Sequence, residues 1–178
     1  TYRAIAYLDI TQPPNDFKRS LAHLTEHSQL AGIRDITEGA DAARLLAPNV
    51  ALNLAQIAAN NLIFEAQFEL VQTPICHQLV QYCRTIPSLK CVINHAGLVT
   101  SDTFEAWQKN LAIVTSAPNI WLKVSGFEMA DRSYQPAWLQ QVVDALLRHF
   151  DANRLMFASN FPLCLFSKSY LQVWQDYQ

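Results

Sequence analysis

Glycine is scarce in this sequence, with four in 178 residues. Neither G-x-G-x-x-G nor G-x-x-x-x-G-K-[ST] can be read among them, which excludes the loops that cradle nucleotide phosphates on backbone N–H groups. Charge is thin as well, at 16% of residues and a formal net −2. The few Lys and Arg are scattered without a basic stripe, so nucleic acid is not an expected partner. No apolar run approaches the roughly 18 residues of a membrane helix, and no signal-peptide pattern opens the chain, so no membrane partner is expected either. The four cysteines (Cys76, Cys83, Cys91, Cys164) form neither a C-x-x-C pair nor a zinc-ribbon spacing. They are expected to be reduced, mainly buried thiols of a cytoplasmic protein.

Apolar residues make up 51% of the chain, enough for a real core in one domain spanning 1–178. The chain opens on TYRAIAYLDI without Met and closes in SYLQVWQDYQ, part-way through a helical pattern. Both ends read as cut. Six β-type runs recur: YRAIAYL at 2–8, GIRDI at 32–36, LIFEAQF at 62–68, KCVINH at 90–95, NIWLKVS at 119–125 and RLMFAS at 154–159. Helical stripes lie between them: Phe17, Leu21, Leu24; Ile75, Leu79, Cys83, Ile86; Phe104, Trp107, Leu111, Val114; Trp138, Val142, Ala145, Leu146. Asp102 and Ser133 are expected at cap or turn positions, and Pro136 suits a first helical turn. The segment 40–60 is the least clear, with a short helix expected from LNLAQIAAN.

Strand and helix alternating about every 30 residues predict βαβ units and a parallel sheet. Two architectures fit: a complete six-strand doubly wound sheet, or about six of the eight units of a (β/α)8 TIM barrel, whose usual length is about 250 residues. An open sheet gathers its groups at one switch point, often with a Gly-rich loop. Here polar residues end every strand: Asp9; Arg34 and Asp35; Glu65 and Gln67; Asn94 and His95; Lys123 and Ser125; Ser159 and Asn160. A ring of polar strand ends is what a barrel mouth requires, so the α/β class with an incomplete barrel is favoured.

His23, His27, His77 and His149 fall in helical patterns, where surface or capping roles are the default. His95 ends a strand and reads as a ligand or general base, with a hydrogen-bonded core histidine as the alternative. Arg34 fits either an ion pair with Asp35 or a fork for a substrate carboxylate. Lys123 either polarises a carbonyl or neutralises a carboxylate from the next strand. Glu65 and Gln67 point into the barrel if Phe64 and Phe68 face the helices, where they can also be plain interior filling.

The segments GIRD, FEAQF, VINHAGL, WLKVSGFEM and RLMFASNFP, in this order, resemble the lactonase-type branch of the amidohydrolase superfamily, the TIM-barrel metal-dependent hydrolases that include sugar lactonases. The resemblance runs over essentially the whole chain. It implies that His95 is the site histidine, a metal ligand where metal is bound, and that Arg34, Gln67 and Lys123 bind substrate. Asn160 matches a catalytic position but stands where the better-known motif has Asp. A neutral carboxamide has no basic lone pair of useful pKa, so His95, Glu65 and Asp9 become the candidate bases. The family's first-strand H-x-H pair has no counterpart here, and counting back from FASNFP makes YRAIAYL strand three.

The resemblance thus implies a divalent metal such as zinc in the complete protein. None is expected in this chain alone, since one His with amides falls short of three or more ligands. The expected activity is opening of a small sugar-derived or carboxylated lactone by water. A non-catalytic small-acid binding protein and a related decarboxylase are the alternatives. In each case the partner is a small molecule.

Overall fold

The computed structural model describes residues 2–178. Six strands lie side by side in chain order: β1 (Ala4–Tyr7), β2 (Leu30–Ile36), β3 (Ile63–Gln67), β4 (Lys90–Ile93), β5 (Ile120–Val124) and β6 (Leu155–Phe157). Every neighbouring pair is parallel. An order that follows the chain, with a helix-bearing crossover at each step, is the barrel succession; a doubly wound sheet would reverse direction at a switch point. The fold is α/β, six consecutive units of barrel type.

The helices are α1 (Pro14–Thr25), α2 (Val50–Ala59), α3 (Thr73–Thr85), α4 (Phe104–Val114), the short α5 (Phe127–Ala130), α6 (Pro136–His149) and α7 (Tyr170–Asp176). Their apolar stripes are buried as the periodicity requires: Phe17 and Leu21, Ile75 and Leu79, Trp107 and Leu111, Val142 and Leu146. The unclear 40–60 segment forms a 3-10 stretch, Gly39–Leu46, followed by α2. His27 lies beyond the end of α1, in a turn. Asp102 and Ser133 lie in turns, one of the two places expected for them, while Thr103 and Gln135 are the residues before α4 and α6 and neither caps through its side chain. The Ser133 turn is closed locally, its N–H and hydroxyl both donating to Asp131 Oδ1. Pro136 occupies the first turn of α6 as expected.

Register explains which side chains meet. Ile33, Phe64, Cys91 and Ile120 are successive partners across β2 to β5, and all are fully buried. This row faces the helices; burying a side chain such as Phe64 contributes about 2–3 kcal/mol. The alternate residues Arg34 and Glu65 are partners on the opposite face, as the period of two demands. The same alternation separates Arg34 from Asp35, so the ion pair weighed as one of two readings of Arg34 does not form. Asp35 pairs with Arg44 at 2.8 Å, on the helix side. All four cysteines are free and buried. Among the described residues, no helix is long and apolar enough to cross a membrane.

Candidate active site

Arg34, Glu65 and Lys123 converge from β2, β3 and β5. Glu65 Oε2 accepts from Arg34 Nε at 2.8 Å and Nη2 at 2.5 Å, and from Asn94 Nδ2 at 3.1 Å. Its Oε1 accepts from Lys123 Nζ. The carboxylate that neutralises Lys123 therefore comes from two strands away, across β4. Burial pushes the Glu65 carboxyl up, but Lys123 and Arg34 outweigh it and hold the group below the usual carboxylate range. The side chains of Arg34 and Lys123 are 34% and 19% exposed, against 3% for Glu65. The cations thus reach the surface while the anion is sealed beneath them. With two positive charges and one negative, Arg34, Glu65 and Lys123 taken by themselves carry a net +1.

Gln67 joins the same network. Its Oε1 accepts from Asn94 Nδ2 at 3.3 Å and its Nε2 donates to Glu38 Oε1 at 2.6 Å. Asn94 is fully buried, and its Oδ1 has no partner among the described residues.

His95 stands beside this network without a hydrogen bond to it. Burial, with Arg34 and Lys123 adding to it and Glu65 opposing, lowers its pKa to about 4, so the imidazole is neutral at neutral pH. Its Nδ1 lies 3.0 Å from Ser125 Oγ. The backbone that presents the ring is unusual. His95, Ala96, Gly97 and Leu98 have φ of 52°, 50°, 64° and 53°, a left-handed turn in which three of four residues carry a Cβ. Each such residue costs roughly 1–2 kcal/mol relative to a right-handed turn. Packing holds it: Trp107 Nε1 donates to Ala96 O at 2.7 Å, and Leu70 N donates to Gly97 O at 3.0 Å. A Cβ on Gly97 would run into Leu70, which is why this one position of the turn is glycine. Strain retained at a strand end beside a charged cluster is characteristic of functional sites.

Asn160 and Asp9 sit apart from this group. Asn160, with φ 52°, donates from Nδ2 to Glu128 Oε1 at 2.6 Å. Asp9 Oδ1 accepts from Arg44 at 2.7 Å and from the Thr11 hydroxyl at 2.7 Å. Burial works against it, but those bonds hold its carboxyl below the ordinary value. The structure thus gathers Arg34, Gln67 and Lys123 into one network with His95 at its side, and places Asn160 in a separate pair. Sequence reasoning passed over Glu38 and Glu128, the buried or half-buried carboxylates that hold Gln67 and Asn160. The only local signal was a Glu just past a strand end in each case. A cavity of about 230 Å³ borders the network, lined in part by Glu38, Leu98 and Gly126.

A parallel barrel sheet with charged and imidazole groups at its strand ends defines a class of (β/α) barrel proteins whose sites lie at one mouth. The chain belongs to the amidohydrolase family, whose model matches residues 10–178. It is 29% identical to L-fucono-1,5-lactonase of Burkholderia multivorans over 161 residues, 80% of this chain and 49% of that protein. It is 27% identical to the uncharacterized protein y4mH of Sinorhizobium fredii over 169 residues, 87% of this chain and 56% of that one. The chain therefore spans about half the length of these curated relatives. Among solved structures, a zinc-bound amidohydrolase from Burkholderia multivorans superposes with a TM-score of 0.82 at 25% identity, covering 98% of this chain and 64% of the other.

The zinc of that structure raises the question of fit. Among the described residues here, no group of three or more His, Cys, Asp or Glu is placed to hold a metal ion. The charged neighbours of His95 are two cations, Arg34 and Lys123, and one carboxylate, Glu65, which is already engaged by both of them. The described residues do not fit a divalent cation.

Proposed function

We propose that this chain carries the substrate-orienting and carbonyl-polarising part of a hydrolase site that opens a small lactone bearing a carboxylate. One observation carries the reading: Glu65 locks Arg34 and Lys123 side by side, leaving a net positive, part-exposed surface next to a neutral imidazole. Arg34 spends only Nε and Nη2 on Glu65, so Nη1 remains for an anionic group of the substrate. Preorganised donors of this kind stabilise an oxyanion without reorganising. Water adds to the lactone carbonyl carbon, and the C=O π pair moves onto the oxygen, which faces Lys123 and His95. Collapse of that intermediate expels the ring oxygen, which takes up a proton and yields the hydroxy acid. Of the three candidate bases, Asp9 and Glu65 are held in ion pairs and the neutral His95 faces the carbonyl oxygen, so the proton that the attacking water gives up is the one the departing ring oxygen takes.

The kinship with a lactonase supports this reading at the level of chemistry. Acid release from carboxylated and sugar lactones, followed by pH-stat, tests it. Turnover that falls at least about 10-fold in Lys123→Met is expected for loss of an oxyanion partner. No turnover on any lactone would overturn it. Asn160 favours a second reading, a small-acid binding protein, since its amide is tied to Glu128 and can remove no proton. Saturable carboxylate binding without turnover would establish that reading.

A further inference from the structure

Ser125 stands one residue beyond β5 and is 1% exposed. Its hydroxyl has a single hydrogen-bond partner among the described residues, His95 Nδ1 at 3.0 Å. One proton lies between the two atoms, and it can belong to either. If Nδ1 carries it and donates to Ser125 Oγ, the serine's own proton is left in the interior with no acceptor. If Ser125 donates to Nδ1, both atoms are satisfied, and the remaining ring proton must sit on Nε2. Buried donors without acceptors are rare because desolvation is then uncompensated. Nε2 has no protein partner among the described residues, yet it is not among the sealed, unpartnered polar atoms, so it is the ring atom open to solvent or substrate. Arg34 and Lys123 would favour a lone pair there, but both are paired with Glu65, which weakens their pull.

We propose that Ser125 is a positioning residue that fixes His95 as the Nε2–H tautomer, so that the ring offers the mouth a hydrogen-bond donor instead of a base. The surrounding backbone keeps the pair in register. A Cβ on Gly126 would lie 2.6 Å from His95 Cβ and 3.0 Å from Nδ1, so the ring and the residue after Ser125 are packed directly together. The tautomer stands on this hydrogen bond alone. Its consequence, donation from Nε2 to a lactone carbonyl, rests on the proposed hydrolysis, in which the ring acts as a donor to the oxygen and the proton of the attacking water passes to the departing ring oxygen.

Long-range ¹H–¹⁵N spectra of the ¹⁵N-labelled chain at neutral pH read the tautomer directly, with His95→Gln assigning the signals. The expected wild-type pattern is a pyridine-like Nδ1 and a pyrrole-like Nε2. Ser125→Ala should shift His95 towards a tautomer mixture, and Ser125→Thr, which keeps the hydroxyl, should restore the wild-type pattern. A pyrrole-like Nδ1 in the wild type, or a Ser125→Ala spectrum unchanged at His95, would overturn the inference. If Ser125→Ala does not fold, the wild-type spectrum still decides. Where lactone turnover is measured, Ser125→Ala should lower kcat about 10-fold with KM little changed, and Ser125→Thr should recover it. An Nε2–H signature with no lactone turnover would sink the hydrolysis and leave the tautomer standing.

Discussion

Glu65 is the residue on which the site's charge balance turns. It is buried, and four donors converge on its two oxygens. Glu65→Gln keeps the shape but leaves Arg34 and Lys123 facing each other without an anion, and breaking such a pair costs about 3–5 kcal/mol. Urea denaturation should show that loss, and the double variant Glu65→Gln with Lys123→Met should recover part of it by removing the repulsion. His95 makes the fold sensitive to acid. Its folded pKa, about 4, is depressed from 6.5, so below 6.5 the unfolded chain takes up a proton that the native state refuses. Stability therefore falls as pH drops from 6.5 to 4, by about 3 kcal/mol in all. Glu65 adds to the loss further down, because a depressed carboxyl stabilises the fold above its unfolded value and ceases to do so as pH falls through its folded one. Asp35, pushed up chiefly by burial, works in the opposite direction within the carboxylate range. Melting temperature against pH should slope between 6.5 and 4 in the wild type and flatten in His95→Gln; equal slopes would mean that His95 titrates normally.

At the scale of elements, the left-handed turn and the glycine of the next loop form one device. Gly126 has φ 79° and sits against His95, so Gly126→Ala meets both a disfavoured backbone and a clash with the ring. A destabilisation of about 1–3 kcal/mol is expected, with lactone turnover falling more steeply than the loss of folded protein accounts for. Chemical denaturation alongside specific activity checks both parts. These elements also mark where the sequence was legible. The spacing of apolar runs placed all six strands within two residues of their observed ends, because periodicity is a local property of a buried sheet. The polar strand ends pointed to a mouth, and Arg34, Glu65, Gln67, Lys123 and His95 do gather there. Pairing was not legible. Lys123 meets Glu65 across 58 positions and Arg44 meets Asp9 across 35, distances over which no sequence pattern carries a signal. The left-handed conformation at His95 and Ala96 was equally hidden, since it is imposed by Trp107 and Leu70 from neighbouring units and not by the residues that adopt it.

For the whole molecule, the sheet's edges decide behaviour in solution. Among the described residues β1 pairs only with β2, and β6 only with β5. Each outer strand therefore presents backbone N–H and C=O groups without a ladder partner, and the apolar side chains of Tyr7 and Phe157 beside them are 65% and 48% exposed. Such edges template pairing with another chain. Phe157 is partly shielded, because its ring packs against Tyr177 at 4.5 Å and the Tyr177 hydroxyl donates to Val124 O and Ala158 O. β1 begins and ends in exposed residues, Ala4 and Tyr7, with no such aromatic cover, so it is the more open of the two edges. The 178-residue chain should accordingly associate with rising concentration and melt at a modest temperature. A lysine on an edge strand opposes such pairing by placing a solvated charge where the incoming strand must lie. Sedimentation velocity over a range of concentrations should show wild-type association that Ala4→Lys weakens without lowering the melting temperature. Sedimentation as a monomer at every concentration would show that these edges are protected and that the packing of β1 on β2 suffices.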